Sequence, residues 1–345
     1  MSDRLLFKPI LTLLIAIACL SPISIAAEAD RNAALRYWRA VWLMGEDSPS
    51  ASIDYEGLYQ PNYNHAPDGE APYSSSQLLQ DQSEVIRLLI EASLLEECDF
   101  GVDYDKGVEA LLPHLSPMRR AAQLLVLDAR RLLSEGDKDG ATERVTAAYR
   151  LAEHMTGDLT LINSLVSMAC FSLVDSFVET HEASFDEAHR QAIAQALARF
   201  DSDDPFGCAK AVRGEATFFG GWMLRRVNNE WSTPDAFVAD LRTLFDVETA
   251  ENLRAEMFAP EAGTGEAFRQ KLRREIEKYA TALNLMADAW TTPDAEKSLD
   301  AIESQIVDGG FGAVAQVMAP SLGRCHASDM KARATLKARL EWARD

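Results

Sequence analysis

The sequence predicts an all-α protein, an irregular α–α superhelix of stacked helical hairpins, and three observations lead there. Apolar residues recur at steps of three and four through almost the whole chain after residue 77. Helix start signals recur before these stripes, and no run of alternating β-branched residues competes with them.

The clearest stripe runs Leu272, Ile276, Tyr279, Leu283, Met286 and Trp290, with Lys271, Arg274, Glu275 and Lys278 assigned to the other faces. Burying such side chains is worth about 1.5–3 kcal/mol each, so the stripe demands a partner helix. Ser116-Pro117, Thr233-Pro234 and Thr292-Pro293 each place a hydroxyl at the N-cap and proline at the first helical position. Ser184 with Glu187 has the spacing of a capping box. The expected helices are 30–45, 77–97, 117–134, 138–155, 159–181, 185–200, 208–228, 234–245, 247–257, 265–290, 293–307 and 321–343. Between the first two lies 46–76, where Tyr55, Tyr59, Tyr63 and Tyr73 sit among Pro, Asn, Asp and Gly; it reads as an irregular loop over the helical body.

The N-terminus reads as an export signal. Arg4 and Lys8 precede an uncharged run from Pro9 to Ala27; Pro22 bends its end, and Ser24 and Ala26 supply the small residues a signal peptidase needs. Cleavage is expected after Ala26, giving a signal peptide 1–26 and a single helical domain 27–345. The alternative is an uncleaved membrane anchor, since such a run just spans a bilayer of about 30 Å. Either way the body faces outward, into the periplasm or cell envelope. Cys19 makes a weak lipidation site because Ala16 stands where a larger aliphatic is usual. The Asp, Pro and Gly cluster at Asp201–Gly207 marks a lobe break, although short connections between helices favour one continuous body.

Composition excludes more than it selects. A net charge of −20 repels a phosphate backbone, which argues against nucleic-acid binding. The four cysteines beyond the leader, Cys98, Cys170, Cys208 and Cys325, allow zero or one bridge; Cys170 lies in the apolar run Leu165–Val178, where a thiol behaves as a small hydrophobe. They contain no CxxC, and there is no HExxH, so no zinc site is expected. The acidic stretch Asp99–Gly107 fails the EF-hand pattern, with Tyr104 at the sixth place and Ala110 at the twelfth, and reads as a solvated turn. Glu135–Gly140 is a hairpin turn. Gly309-Gly310-Phe311-Gly312 follows a helix rather than a strand, which makes it a connection and not a phosphate cradle. No G-x-S-x-G elbow is present, and no cofactor is implied.

One polar insertion stands out: Arg213 and Glu215, followed by Phe218, Phe219, Gly220, Gly221 and Trp222. They line a cleft between helices, or else form an ion pair or hydrogen bonds at the edge of the core with glycine allowing close packing. The second account is preferred.

Leu125–Ala152 resembles one tetratricopeptide-type hairpin. Ala129 and Leu132 take the small and large positions of its first helix, Gly136-Asp137 the turn, and Ala141, Val145 and Ala148 the packing positions of its second. Asp128 departs from the pattern where an apolar residue is expected, and Glu153 replaces the closing proline. More widely, Asn32-Ala-Ala-Leu-Arg-Tyr-Trp38, Cys98–Gly101, Leu111–Leu115, the hairpin and Thr160–Val178 resemble a group of uncharacterised exported helical proteins of planctomycete-type bacteria. That resemblance implies location and fold and carries no mechanism.

The function expected is a binding or scaffold role, with a helical surface recognising a protein or peptide. The alternatives are an enzyme with a noncanonical interhelical site near Glu215 and, if the leader is retained, a membrane-tethered structural component. The absence of any catalytic motif places the enzyme second.

Overall fold

A computed structural model describes residues 31–45, 75–200, 202–244, 265–319 and 322–344. The leader, Cys19, the tyrosine-rich loop and the expected helix 247–257 lie outside the described residues. The protein is all-α: among the described residues there is no strand, only one isolated bridge between Asn32 and Glu97. The chain divides into two compact units, 1–100 and 101–345.

In the first unit, α1 (Ala33–Met44) packs against α3 (Ser83–Ser93), which follows α2 (Ser75–Asp81). The single helix expected over 77–97 is therefore broken at Gln82 and ends at Ser93, followed by the segment that pairs with Asn32. Asn32 Oδ1 caps α1 by accepting from Ala34 N at 3.0 Å and also accepts from Asp99 N at 2.9 Å. Phe100 then stacks on Tyr37 and meets Trp38 edge-on, 6.2 and 6.1 Å between centroids.

The second unit is built from α4 (Leu115–Glu135), α5 (Lys138–His154), α6 (Leu161–Thr180), α7 (Glu187–Leu197), α8 (Cys208–Asn229), α9 (Pro234–Leu244), α10 (Glu266–Ala289), α11 (Ala295–Val307), α12 (Gly312–Met318) and α13 (Gly323–Arg344). α4 and α5 form the expected hairpin. Gly136 closes α4 at φ 84°, a left-handed conformation that glycine adopts without steric cost, and Asp137 Oδ1 starts α5 by accepting from Gly140 N at 2.9 Å. Asp128 faces into the hairpin: Arg131 reaches it from its own helix at 2.8 Å and Arg144 from the next at 2.9 Å. An apolar position has become an ionic tie between two helices.

Among the described residues α6 is the one helix long and apolar enough to cross a membrane, with mean hydropathy 1.7. Here it is a core helix in contact with α4, α5, α8 and α13. Several of its polar side chains are buried, among them Ser167, whose Oγ donates to the Ala152 carbonyl at 2.7 Å. Cys170 is fully buried and its thiol is pushed up to about 12 by burial; with Cys208 and Cys325 it is free. Between α7 and α8, Phe200 and Phe206 both pack on Phe171 of α6, at 5.6 and 5.2 Å between centroids.

α10 lies along α8, and its six-residue stripe is at most 1 % exposed throughout. Glu275, assigned above to a polar face, is a correction: it is buried, and its Oε2 accepts from Ala313 N at 2.8 Å, capping α12. Gly312 makes that approach possible. It has φ +77°, and a Cβ added there would sit 1.9 Å from Glu275 Oε2. The glycine-rich stretch thus joins α11 to α12 and leaves room for a buried carboxylate.

Three start signals are also corrected. α4 begins at Leu115, so Pro117 lies inside the first turn, where backbone donors have no intrahelical acceptor and the missing N–H leaves no gap. Thr292 closes α10 by donating to Ala289 O, and α11 starts only at Ala295. The capping box before α7 uses Asp186 and His189 in place of Ser184 and Glu187; the Asp186 carboxylate accepts from both Ala188 N and His189 N. Thr233 does cap α9, accepting from Ala236 N at 3.2 Å.

Gly312→Ala is expected to cost about 1–3 kcal/mol, from strained backbone plus displacement of the Glu275 cap. Urea unfolding followed by circular dichroism measures it; an unchanged midpoint would show that the cap is dispensable.

Candidate functional site

Arg213 and Glu215 are two residues apart on α8 and so point to different sides of it. Arg213 is half exposed and pairs with Asp288 of α10. Glu215 is buried, and its Oε1 accepts from Leu161 N at 2.9 Å, capping the first turn of α6. Burial raises the Glu215 pKa, and the backbone hydrogen bond opposes that rise. The glycine that permits this packing is Gly214, where a Cβ would meet Leu159 Cβ and O at 2.7 Å. The structure thus separates the two residues, and each has a partner that joins helices.

Around the same end of α6 lies a polar core that sequence patterning missed. His114 Nε2 is 2.9 Å from Asp158 Oδ2, Tyr104 donates to Asp158 Oδ1 at 3.1 Å, and Asn163 donates to the same carboxylate. Thr160 Oγ1 donates to Asn163 Oδ1 at 3.0 Å, and Tyr104 in turn accepts from Leu159 N. These groups come from three separate stretches of chain, so no local spacing announces them. A second network holds α13 in place. Asp329 accepts from Trp290 Nε1 at 2.8 Å and from Arg333 Nε at 2.7 Å, while Arg333 also reaches Asp204 at 3.3 Å. Burial raises the Asp329 pKa, against the lowering effect of Arg333 and Trp290. Lower on the same helix, Arg339 donates to Asp175 of α6 at 2.8 Å and to Glu182 at 2.6 Å, with Tyr149 donating to Asp175 at 3.2 Å.

Of these network residues only Arg333 lines either of two grooves that run along α13. One, of about 470 Å³, follows the C-terminal half of the helix. Its apolar floor is Phe200, Leu336 and Leu340; Arg333, Lys337 and Arg344 stand on one stripe of α13 above it, with Asp203 and Glu341 also on the rim. Among the described residues Lys337 and Arg344 carry no ion pair, whereas Arg333 is held by Asp329 and Asp204. The other groove, of about 610 Å³, follows the N-terminal half between α11 and α13. The sequence reading missed the first groove; the helical spacing of Arg333, Lys337, Leu340 and Arg344 is the signal that could have found it.

No group of three or more His, Cys, Asp or Glu among the described residues is placed to hold a metal ion. Asp105 of the acidic turn and Glu109 just beyond it pair with Arg225 and Arg226 of α8. Comparison with protein-family models, curated proteins and solved structures finds no match to this chain.

Two outcomes are expected. Since the folded pKa of Glu215 is raised, its contribution is full below the unfolded value of 4.5 and is lost as pH rises through the folded value. The stability of Glu215→Gln relative to the native protein therefore increases between pH 4 and pH 7 in denaturant titrations; a flat difference would place the carboxylate in solvent. Arg339→Ala, which strands the buried Asp175, should cost about 3–5 kcal/mol in the same measurement, and a loss under about 1 kcal/mol would mean that the pair behaves as a surface ion pair.

Proposed function

We propose that the chain is an exported binding or scaffold protein of the periplasm or cell envelope, which recognises a protein or peptide through a surface of stacked, partly tetratricopeptide-like hairpins. The observation that carries this reading is the groove along the C-terminal half of α13, whose rim holds Lys337 and Arg344 beside Asp203 and Glu341. In a chain of net charge −20, two cations without ion pairs flank an apolar floor on one helix face. Such a floor offers a partner apolar contact, and the lip charges orient it. The leader pattern Arg4–Ala26 supports export, and the acidic surplus supports solubility outside the cytosol.

The enzyme reading near Glu215 has less support. Its Oε1 holds the start of α6, and Glu215 lines neither groove described above.

A photo-crosslinking residue at Lys337 is expected to yield one discrete adduct in envelope extract, lost on Leu340→Asp and lacking when the same group replaces Glu187 on α7. Identical labelling at both positions, or no adduct at Lys337, would overturn the proposed role for this face.

A further inference from the structure

The groove between α11 and α13 differs in chemistry from its neighbour. Its charged lining is of one sign: Glu296 and Asp300, one helical turn apart on α11, with no lysine or arginine among the lining residues. Both carboxylates are exposed, and neither has an ion pair among the described residues. Leu299 and Pro293 give the groove an apolar wall, and Met330, 49 % exposed, forms its opposite lip on α13.

The second observation is His326. Its side chain lines the same groove from the buried face of α13, only 6 % exposed and packed edge-on against Trp290 at 5.2 Å between centroids. Its Nε2 is buried and has no hydrogen-bond partner. A buried ring nitrogen without a partner is uncommon in a folded protein and calls for an explanation. A cavity of about 610 Å³ is also within the range that encloses a ligand or an inserted side chain.

We propose that this groove binds the lysine or arginine side chain of a basic peptide segment. The aliphatic stem lies along Leu299, Pro293 and Met330, and the cationic head sits between Glu296 and Asp300. The head carries only donors, which suits two acceptor carboxylates and a ring nitrogen able to accept. Arginine fits better than lysine, because its planar fork addresses two carboxylates at once. The site is separate from the groove along the C-terminal half of α13, so its test and that of the binding role fail independently.

The test titrates the full chain, with ¹³C-labelled methionine methyl groups, using the peptide acetyl-Leu-Arg-Leu-amide. The expected result is a saturable shift of the Met330 methyl and binding at least tenfold weaker for the citrulline peptide, which keeps the shape and loses the charge. Glu296→Gln with Asp300→Asn should weaken the arginine peptide tenfold or more. Both positions are exposed, so folding is retained, and circular dichroism checks it. His326→Gln should weaken it severalfold, whereas Glu187→Gln, on α7, should leave it unchanged. Equal binding of the arginine and citrulline peptides, an undisturbed Met330 methyl, or equal loss in Glu187→Gln would overturn the proposal. Agmatine binding as tightly as the peptide would overturn the peptide assignment in favour of a free amine.

Discussion

Much of the second unit depends on the buried pair between Arg339 and Asp175, two residues separated by 164 positions. Arg339 is 5 % exposed and Asp175 4 %, so neither has water to fall back on. Taking two charges out of water is costly, and the cost is recovered only if every remaining donor and acceptor is used. The surroundings meet that demand. Tyr149 donates to the carboxylate, Glu182 takes another guanidinium nitrogen, and the Trp342 ring lies 4.9 Å from the guanidinium carbon. Four elements are thereby fixed relative to one another: α5, α6, the turn after α6, and α13.

The same device recurs where other helices meet. Asp128 joins α4 to α5, Glu215 joins α8 to α6, Glu275 joins α10 to α12, and Glu303 takes the Leu322 and Gly323 N–H groups at the start of α13. Three of these carboxylates sit at helix N-termini, where orphan backbone donors and the positive end of the dipole favour an anion. An acidic composition is thus more than a solubility feature. Part of it terminates and orients helices inside the fold, and close glycines, Gly214 and Gly312, leave the room those carboxylates need.

α13 then carries a division of labour along its length. Its buried face has Asp329, Leu336 and Arg339, which together with Arg333 secure the helix against α6, α10 and the segment before α8. Its open flank bears two grooves with different lips, one of mixed charge and one acidic. A helix anchored by ionic contacts on one side can hold a rigid recognition surface on the other, since the anchoring groups have no freedom left to rearrange.

How far the sequence reached follows from which residues carry each interface. The stripe Leu272–Trp290 was legible because its buried face is made of large apolar side chains at helical spacing, and hydrophobic burial needs no particular partner. The hairpin turn at Gly136-Asp137 was legible because its chemistry is local. α13 was seen as a helix, but its face was not: a buried side formed by His326, Asp329 and Arg339 looks polar to any periodicity argument. Glu275 and the capping choices around Asp186 and Thr292 went the same way. Sequence alone therefore determined the helical class, most helix spans and the apolar stripes, all of which follow from short-range spacing. Tertiary structure decided which carboxylate meets which guanidinium or helix end, because that choice is made by packing across tens to hundreds of residues, where charge has no periodicity to read.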